Sequence, residues 1–148
     1  MTVLASGIIL YRAPTRLIEP RLLLLRNTDN GQWGFPKGRR DPQDAHELVT
    51  ARREVLEETG YAGLTLHAEF RRTLEYRVEA AEDYGRRKRV VYFLASAPED
   101  EPTLSPEHDA AMWADRRALQ TAFAYGQLRD LAFHALLSIP VDTRAARA

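Results

Sequence analysis

Short apolar runs and one alternating segment predict most of the strands. Residues 6–11 and 21–26 are almost continuously apolar, which predicts strands buried on both faces. In residues 70–78, mainly apolar side chains alternate with polar ones at a period of two, which predicts a further strand. Shorter strands are predicted at 32–35, ending before Pro36, at 89–95 and at 112–114.

The longest helical pattern extends from Asp44 to Thr59. Asp44 is predicted to cap the first turn, with Glu47 three residues later in a capping-box arrangement. Gly60 is predicted to end the helix. The apolar positions recur at helical spacing and are predicted to face the core. These positions are Leu48, Ala51, Val55 and Leu56.

Two further helices complete the predicted elements. Asp115 can cap a helix over residues 116–122, and apolar residues between 128 and 136 predict a closing amphipathic helix. The polar residues 80–88 predict a hairpin loop, and residues 98–106 predict an acidic loop that contains prolines. Strands mixed with helices predict an α/β sandwich, and the length fits a single domain covering residues 1–148.

Composition excludes several kinds of site and partner. The chain has no cysteine, which excludes disulfides and thiolate metal ligands. Its 21 basic residues balance its 21 acidic residues, so no overall positive field favours stable binding of nucleic acid. The N-terminal apolar run is interrupted by Arg12 and is too short to span a bilayer. We therefore expect a cytoplasmic protein that makes no membrane contact.

The predicted helix carries three glutamates on one face. At about 100° per residue, Glu57 lies about 60° to one side of Glu54, and Glu58 lies about 40° to the other. Such neighbours have Cβ atoms about 5–6 Å apart, so their charges repel. A divalent cation would remove this repulsion, and Mg²⁺ takes carboxylate oxygens while bridging substrate phosphates. Mn²⁺ would also fit, and the alternative is a solvated acidic helix face.

The segment before this helix adds a second feature. Lys37 offers a point charge to a phosphate, and Gly38 allows the backbone to approach a ligand closely. Alone, these residues would describe a turn with an exposed lysine. Beside an acidic helix they predict a pocket for phosphate and metal, where a metal activates water and a free glutamate accepts its proton.

These residues resemble the motif of the Nudix hydrolases, in which a glycine and a glutamate precede Arg-Glu-aliphatic-any-Glu-Glu-any-Gly-aliphatic. Arg53 to Gly60 match the second half, with Tyr61 in the final apolar position. The first half departs from the motif, because Asp44 stands where glutamate is expected and the spacer from Asp44 to Arg53 is one residue longer. In the family that glutamate is mostly structural and helps to orient the arginine. The departure therefore concerns the geometry of the loop more than the metal site.

The resemblance extends to the diadenosine tetraphosphate hydrolase branch of the family. The shared features are the lead-in from Trp33 to Gly38, the strand Val90–Ala95, the segment Leu104–His108 and Trp113. The resemblance implies a Nudix fold, with a mixed β-sheet sandwiched between helices. It also implies magnesium-dependent hydrolysis of a small nucleoside polyphosphate, namely diadenosine tetraphosphate to ATP and AMP.

The resemblance further implies roles for individual residues. Lys37 would contact phosphate, and Arg53 would be structural. Tyr76 and Tyr92 match ring positions that stack on the nucleobase, although a core role is the alternative for residues in strands. The implied catalytic and metal-binding set consists of Glu54, Glu57, Glu58, Glu107 and the Gly38 carbonyl.

Further polar residues have both a functional and an ordinary interpretation. The basic residues 86–89 are typical of a solvated loop, but Lys88 and Arg89 are predicted to clamp a polyphosphate. His108 is predicted to bind phosphate or to act as an acid or base, and a hydrogen-bonded loop histidine is the alternative. Trp33 and Trp113 are predicted to be packing residues.

Two other functions also fit the sequence. The same chemistry on another nucleoside diphosphate derivative, a diphosphoinositol polyphosphate or an RNA 5′ end would suit the basic residues 86–89. A nucleotide-binding module with little catalysis would suit the altered first half of the motif. The sequence does not predict an oligomeric state.

Overall fold

A computed structural model describes residues 1–79 and 81–141 of the chain. Ala80, in the predicted hairpin loop, and residues 142–148, the end of the predicted domain, lie outside the described residues. A short 3-10 turn, Ala81–Asp83, lies between the fifth and sixth strands. The strands and α-helices are β1 (Val3–Arg12), β2 (Arg21–Asn27), β3 (Trp33–Gly34), β4 (Lys37–Arg39), α1 (Glu47–Thr59), β5 (Thr65–Arg77), β6 (Arg87–Ser96), β7 (His108–Ala114), α2 (Arg116–Ala122) and α3 (Gln127–Ser138).

The strands form one mixed sheet around β1. The main strand order is β3-β2-β1-β6-β5, with β4 paired to β1 and β7 paired to β2. Strands β1 and β6 are parallel, and the other pairs are antiparallel. The central strands β1 and β2 are buried along most of their length, as their apolar runs predict.

Helices cover both faces of this sheet. On one face, Ala51 and Val55 of α1 pack with Ile8 and Leu23 of the central strands. On the other face, α2 and α3 pack over the alternate side chains of the same strands. The predicted α/β fold, with a mixed sheet between helices, is therefore confirmed. Trp33 and Trp113 each pack against one of the two cores, as predicted.

The start of α1 differs from the prediction. The helix begins at Glu47 with His46 as its N-cap, so Asp44 is not the capping residue. Asp44 instead folds back over the preceding turn, where its buried carboxylate accepts hydrogen bonds from the Asp41 amide and the Thr50 hydroxyl. Leu56, predicted to face the core, is 50% exposed, because the buried face of α1 turns toward Thr50, Val55 and Glu58.

Several strands extend beyond their predicted bounds, such as β5, which begins at Thr65 rather than residue 70, and two differences bear on the site. Strand β4 was not predicted, because its three residues contain no apolar side chain. Strand β7 extends from His108, although the sequence predicted only 112–114, because its polar first residues are held by pairing with β2. Both differences matter for the site, since β4 and the start of β7 carry predicted functional residues. In the described part of the chain, no helix has the length and apolar character needed to cross a membrane.

Candidate active site

The close approach of β4 to α1 forms the centre of the site. Gly38 of β4 pairs with Ser6 of β1, and α1 packs against this region of the sheet. A Cβ atom at Gly38 would lie only 2.0–2.3 Å from three atoms of the Glu54 carboxylate group. Glycine is therefore required for this approach, and it brings the β4 backbone and Glu54 to one place.

Glu58 is the most deeply buried of the three helix glutamates. Its side chain accepts a hydrogen bond of 3.2 Å from the Lys37 amide, and the residue is only 4% exposed. Burial, together with the nearby charges of Glu54 and Glu107, raises the pKa of its carboxyl to about 8. Burial and the charge of Glu57 also raise the pKa of Glu54. The site therefore holds more negative charge than its own cations compensate.

Glu107 and His108 complete this acidic group from another part of the chain. Atoms of Glu58, Glu107 and His108 that could bind a metal all lie within 4.8 Å of one another. The segment is held by Thr28, whose amide donates to the Glu107 carbonyl at 2.9 Å and whose hydroxyl donates to the Pro106 carbonyl at 3.0 Å. Thr28 was not singled out in the sequence, where only the turn at 27–31 signals its region.

The donor set fits a divalent cation. Carboxylates suit Mg²⁺ and Mn²⁺, and an imidazole additionally suits transition metals such as Mn²⁺. The buried Nδ1 of His108 has no hydrogen-bond partner among the described residues, and burial lowers the His108 pKa. A neutral imidazole facing clustered carboxylates is compatible with a cation in their midst. Among the described residues, Glu58, Glu107 and His108 bring their possible ligand atoms close enough together to hold it.

Arg53 joins the helix glutamates to the preceding loop. Its guanidinium donates to the Arg39 carbonyl at 3.0 Å, to Asp44 at 3.1 Å and to Glu54 at 3.0 Å. These contacts and the neighbouring acidic charges raise its pKa. Glu57, with a side chain that is 55% exposed, lies 3.4 Å from the same guanidinium at the edge of the site. Arg53 thus fixes Glu54 while balancing part of the negative charge.

Asp44 performs the orienting role that the resemblance assigns to a glutamate. Hydrogen bonds from the Asp41 amide, Thr50 and Arg53 hold the pKa of Asp44 at about 2. The aspartate side chain is shorter than a glutamate, and the loop before Arg53 is one residue longer than the family motif. Despite both departures, the Asp44 carboxylate still contacts the Arg53 guanidinium. The altered first half of the motif therefore keeps this structural contact.

A cavity of about 710 Å³ adjoins the acidic group. Glu58, Glu107, His108 and Lys37 lie on its wall, together with Tyr76 and the ring of Tyr125. Tyr76 is 39% exposed and Tyr125 is 87% exposed. The size is typical of a small-molecule site. Tyr125 was missed in the sequence, because a single aromatic residue between two helices carries no pattern.

The two predicted stacking tyrosines differ in accessibility. Tyr92 lines the cavity but is only 1% exposed, and its ring makes an edge contact with Phe35 at 5.8 Å. It belongs to the core under α2 and α3. This position agrees with the core alternative, and it leaves Tyr76 and Tyr125 as the exposed tyrosines on the cavity wall.

The predicted phosphate-binding residues are also separated by the sheet. Lys88 lies opposite Tyr76 in the strand register, and its side chain is close to Lys37. Burial, together with the charges of Lys37 and Arg39, lowers the pKa of Lys88 to about 8. Arg89 is the next residue, so its side chain points to the opposite face. There it forms a 2.8 Å ion pair with Glu75, and the structure does not bring it to the site.

The stability of the metal-free protein is expected to fall as the pH rises from about 4.5 to about 8. The folded state raises the Glu58 pKa from its ordinary 4.5 to about 8, so it binds this proton more tightly than the unfolded chain does. Glu58→Gln resembles the protonated acid. The free energy of unfolding of this variant should be close to that of wild type below pH 4.5 and exceed it by about a few kcal/mol at pH 8.

Denaturant unfolding with EDTA at several pH values measures this difference. A constant difference between the two proteins across this pH range would contradict the predicted proton linkage. Added divalent cation should displace the proton, so its apparent affinity for wild type should increase over the same range.

Comparisons with known proteins identify the family of this chain. The family model of the NUDIX domain matches residues 1–134. A solved structure of a C. elegans Ap4A hydrolase in a binary complex is similar over 92% of this chain and 92% of that chain. The sequence identity to that protein is 31%, and the TM-score is 0.72.

Two curated relatives match shorter segments. The chain is 43% identical over 54 residues to an uncharacterized Nudix hydrolase, NudL, of Yersinia enterocolitica serotype O:8 / biotype 1B, covering 33% of this chain and 28% of that protein. It is 60% identical over 30 residues to a putative mRNA-decapping protein of Acanthamoeba polyphaga mimivirus, covering 20% of this chain and 8% of that protein. The chain therefore spans under a third of either relative. Because the family model covers most of its length, the chain belongs to the NUDIX domain family.

Proposed function

We propose that this chain is a pyrophosphohydrolase that cleaves diadenosine tetraphosphate to ATP and AMP with Mg²⁺ or Mn²⁺. The observation that carries the proposal is the juxtaposition in one cavity of an acidic group with accessible aromatic rings. Glu58 and Glu107 lie on the same cavity wall as Tyr76 and Tyr125. A nucleoside polyphosphate presents a metal-binding phosphate chain and a flat base to these two features.

The chain's own residues can hold and orient such a substrate. Glu54, Glu58, Glu107 and the Gly38 carbonyl would hold the cation, which when bound polarises a phosphoryl oxygen and makes water a better nucleophile. Lys37 would contact the phosphate chain as a point charge. A glutamate that is not fully engaged as a ligand would accept the proton from the attacking water.

The aromatic rings would bind one adenine of the substrate. Stacking on such rings provides affinity that depends little on the identity of the base. The similar C. elegans structure carries the name Ap4A hydrolase, which supports a dinucleoside polyphosphate as the substrate to test first. The alternative of a substrate without a base receives less support. The basic residues Arg86, Arg87 and Arg89 that motivated it pair with Asp83 or Glu75.

Product analysis tests the reaction directly. Purified protein with Mg²⁺ or Mn²⁺ should convert diadenosine tetraphosphate to equal amounts of AMP and ATP. Formation of ADP alone would contradict the asymmetric cleavage, and absence of any nucleotide product would contradict the assignment. A parallel panel of nucleotide sugars, diphosphoinositol polyphosphates and RNA with a triphosphorylated 5′ end tests the other substrates.

Removal of either accessible ring should weaken substrate binding. Tyr76→Ala and Tyr125→Ala are each expected to raise KM by about tenfold to a hundredfold, because stacking contributes about 1–3 kcal/mol per base. The effect on kcat should be smaller, since stacking on a base stabilises the bound substrate and the transition state alike. Steady-state kinetics with diadenosine tetraphosphate measures both values.

The phenylalanine variants are matched controls. Tyr76→Phe and Tyr125→Phe keep the ring and should retain a KM close to that of wild type. If the alanine variants also behave as wild type, base stacking on these residues is wrong, and a substrate without a base becomes the better assignment.

A further inference from the structure

An ion-pair cluster around a half-buried aspartate lies near Lys37, the residue proposed to contact phosphate. Arg39 of β4 contacts Asp83 at 2.9 Å, and Arg86 contacts the other carboxylate oxygen of Asp83 at 2.7 Å. The Asp83 side chain is only 16% exposed, whereas the Arg39 side chain is 49% exposed. Asp83 ends the short 3-10 turn in the connection between β5 and β6, so one carboxylate attaches this connection to β4.

Arg39 lies on the same face of the sheet as Lys37. Side chains alternate along a strand, and the Cα–Cβ direction at Gly38 points toward Glu54 on α1. The side chains of Lys37 and Arg39 therefore point to the opposite face of the sheet, the one on which α2 and α3 pack. Lys88 joins them from β6, because the charges of both Lys37 and Arg39 act on it.

The resulting group has more positive than negative charge. Lys37, Arg39 and Lys88 contribute three cations, Asp83 is shared with Arg86, and Glu58 faces Lys37 from the acidic group. Lys88 is half-buried, so its charge is poorly solvated. A group with these properties favours an anion that carries more charge than one carboxylate.

We propose that Arg39, together with Lys37 and Lys88, forms a second phosphate subsite, and that the Asp83 carboxylate occupies it until a phosphate of the substrate replaces it. A phosphate and a carboxylate offer the same oxygen acceptors to a guanidinium, and the phosphate carries more charge. This inference rests on the proposed function, because it concerns further phosphates of the same polyphosphate substrate. It makes Arg39 and Asp83 determinants of specificity for long phosphate chains.

Binding of inorganic tripolyphosphate to the full chain tests the subsite without turnover. Calorimetric titration with EDTA present should show that Asp83→Asn binds tripolyphosphate about three- to tenfold more tightly than wild type, because a competing anion is removed. Arg39→Gln should weaken binding by a similar factor. In the double variant, the gain from Asp83→Asn should largely disappear, since the released guanidinium is absent.

Glu47→Gln provides the matched control for charge. Glu47 also pairs with an arginine, Arg71, at 2.8 Å, and its replacement changes the net charge by the same amount. The control should leave tripolyphosphate binding unchanged. An equal gain in Glu47→Gln would overturn the proposal in favour of a general charge effect. Unchanged or weaker binding in Asp83→Asn, with a lower melting temperature, would overturn it in favour of a purely structural ion pair.

The outcome is distinguishable from failure of the proposed function. Tripolyphosphate binding can respond to Asp83 and Arg39 even if diadenosine tetraphosphate is not cleaved. Conversely, wild type can release ATP and AMP while neither variant changes tripolyphosphate binding, in which case only the second subsite is wrong.

Discussion

Glu58→Gln is expected to reduce kcat by about a thousandfold or more and to leave the protein folded. The buried Glu58 carboxylate adjoins Glu107 and His108 and accepts a hydrogen bond from the Lys37 amide. Glutamine keeps an acceptor for that amide but removes a charged ligand from the proposed cation site. Several kcal/mol of transition-state stabilisation should therefore be lost, while the buried side chain becomes easier to accommodate.

Three measurements separate the possible causes of this loss. Steady-state kinetics gives kcat, calorimetry with Mn²⁺ gives the affinity for the cation, and thermal unfolding reports the fold. Cation affinity should fall with kcat, and the melting temperature of the metal-free variant at pH 8 should be at or above that of wild type. Retained activity would show that Glu58 is neither a ligand nor a proton acceptor.

Glu57→Gln is the matched control on the same helix. Glu57 is largely exposed and contacts Arg53 at the edge of the site, so its replacement should cost less, about tenfold to a hundredfold. Equal losses in both variants would show that burial does not distinguish their roles. If wild type shows no turnover and Glu58→Gln binds nucleotide with unchanged affinity, the chain is instead a binding module.

The sequence predicts the fold best where one local pattern determines an element. The apolar runs of β1 and β2 predict central strands because both faces of the sheet are covered. Asp115 predicts α2 because its side chain accepts a hydrogen bond from the Ala118 amide at 2.9 Å. Strand β4 and the first residues of β7 escape prediction because only pairing with distant strands holds them extended.

The same distinction applies to the candidate site. Helical spacing predicts that Glu54, Glu57 and Glu58 share one face, and in the structure the charge of Glu57 acts on Glu54 and that of Glu54 on Glu58. Spacing does not reveal that Glu58 is buried while Glu57 is exposed, because the difference depends on how α1 packs against the sheet. It also does not show that Asp44 is a partner of Arg53 rather than a helix cap.

Contacts between distant segments determine the remaining site residues. Tyr125 reaches the cavity from the connection between α2 and α3, and Thr28 fixes the Glu107 segment from a turn far away in sequence. The basic residues 86–89 form one run in sequence, but the pleat of β6 places Lys88 and Arg89 on opposite faces. Such placements require the fold, since no local pattern encodes them.

Gly38→Ala is expected to lower kcat by about a hundredfold or more with little change in the melting temperature. The new Cβ would lie 2.0–2.3 Å from the Glu54 carboxylate group, so one of the two must move. The carboxylate is the flexible end of a side chain, whereas β4 is paired to β1 and its residue Arg39 is held by Arg53. Glu54 should therefore turn away, which misplaces a proposed ligand at small cost to the fold.

Gly63→Ala is the matched control for this variant. A Cβ at Gly63 would meet no atom of the described residues within 4 Å, so both stability and kcat should be close to those of wild type. Calorimetry with Mn²⁺ should show weaker cation binding for Gly38→Ala alone. If Gly38→Ala unfolds at a much lower temperature, the backbone has moved instead of Glu54. If Gly38→Ala keeps full activity and cation affinity, Glu54 can move away without consequence. The close approach of β4 to α1 would then not be what positions the site.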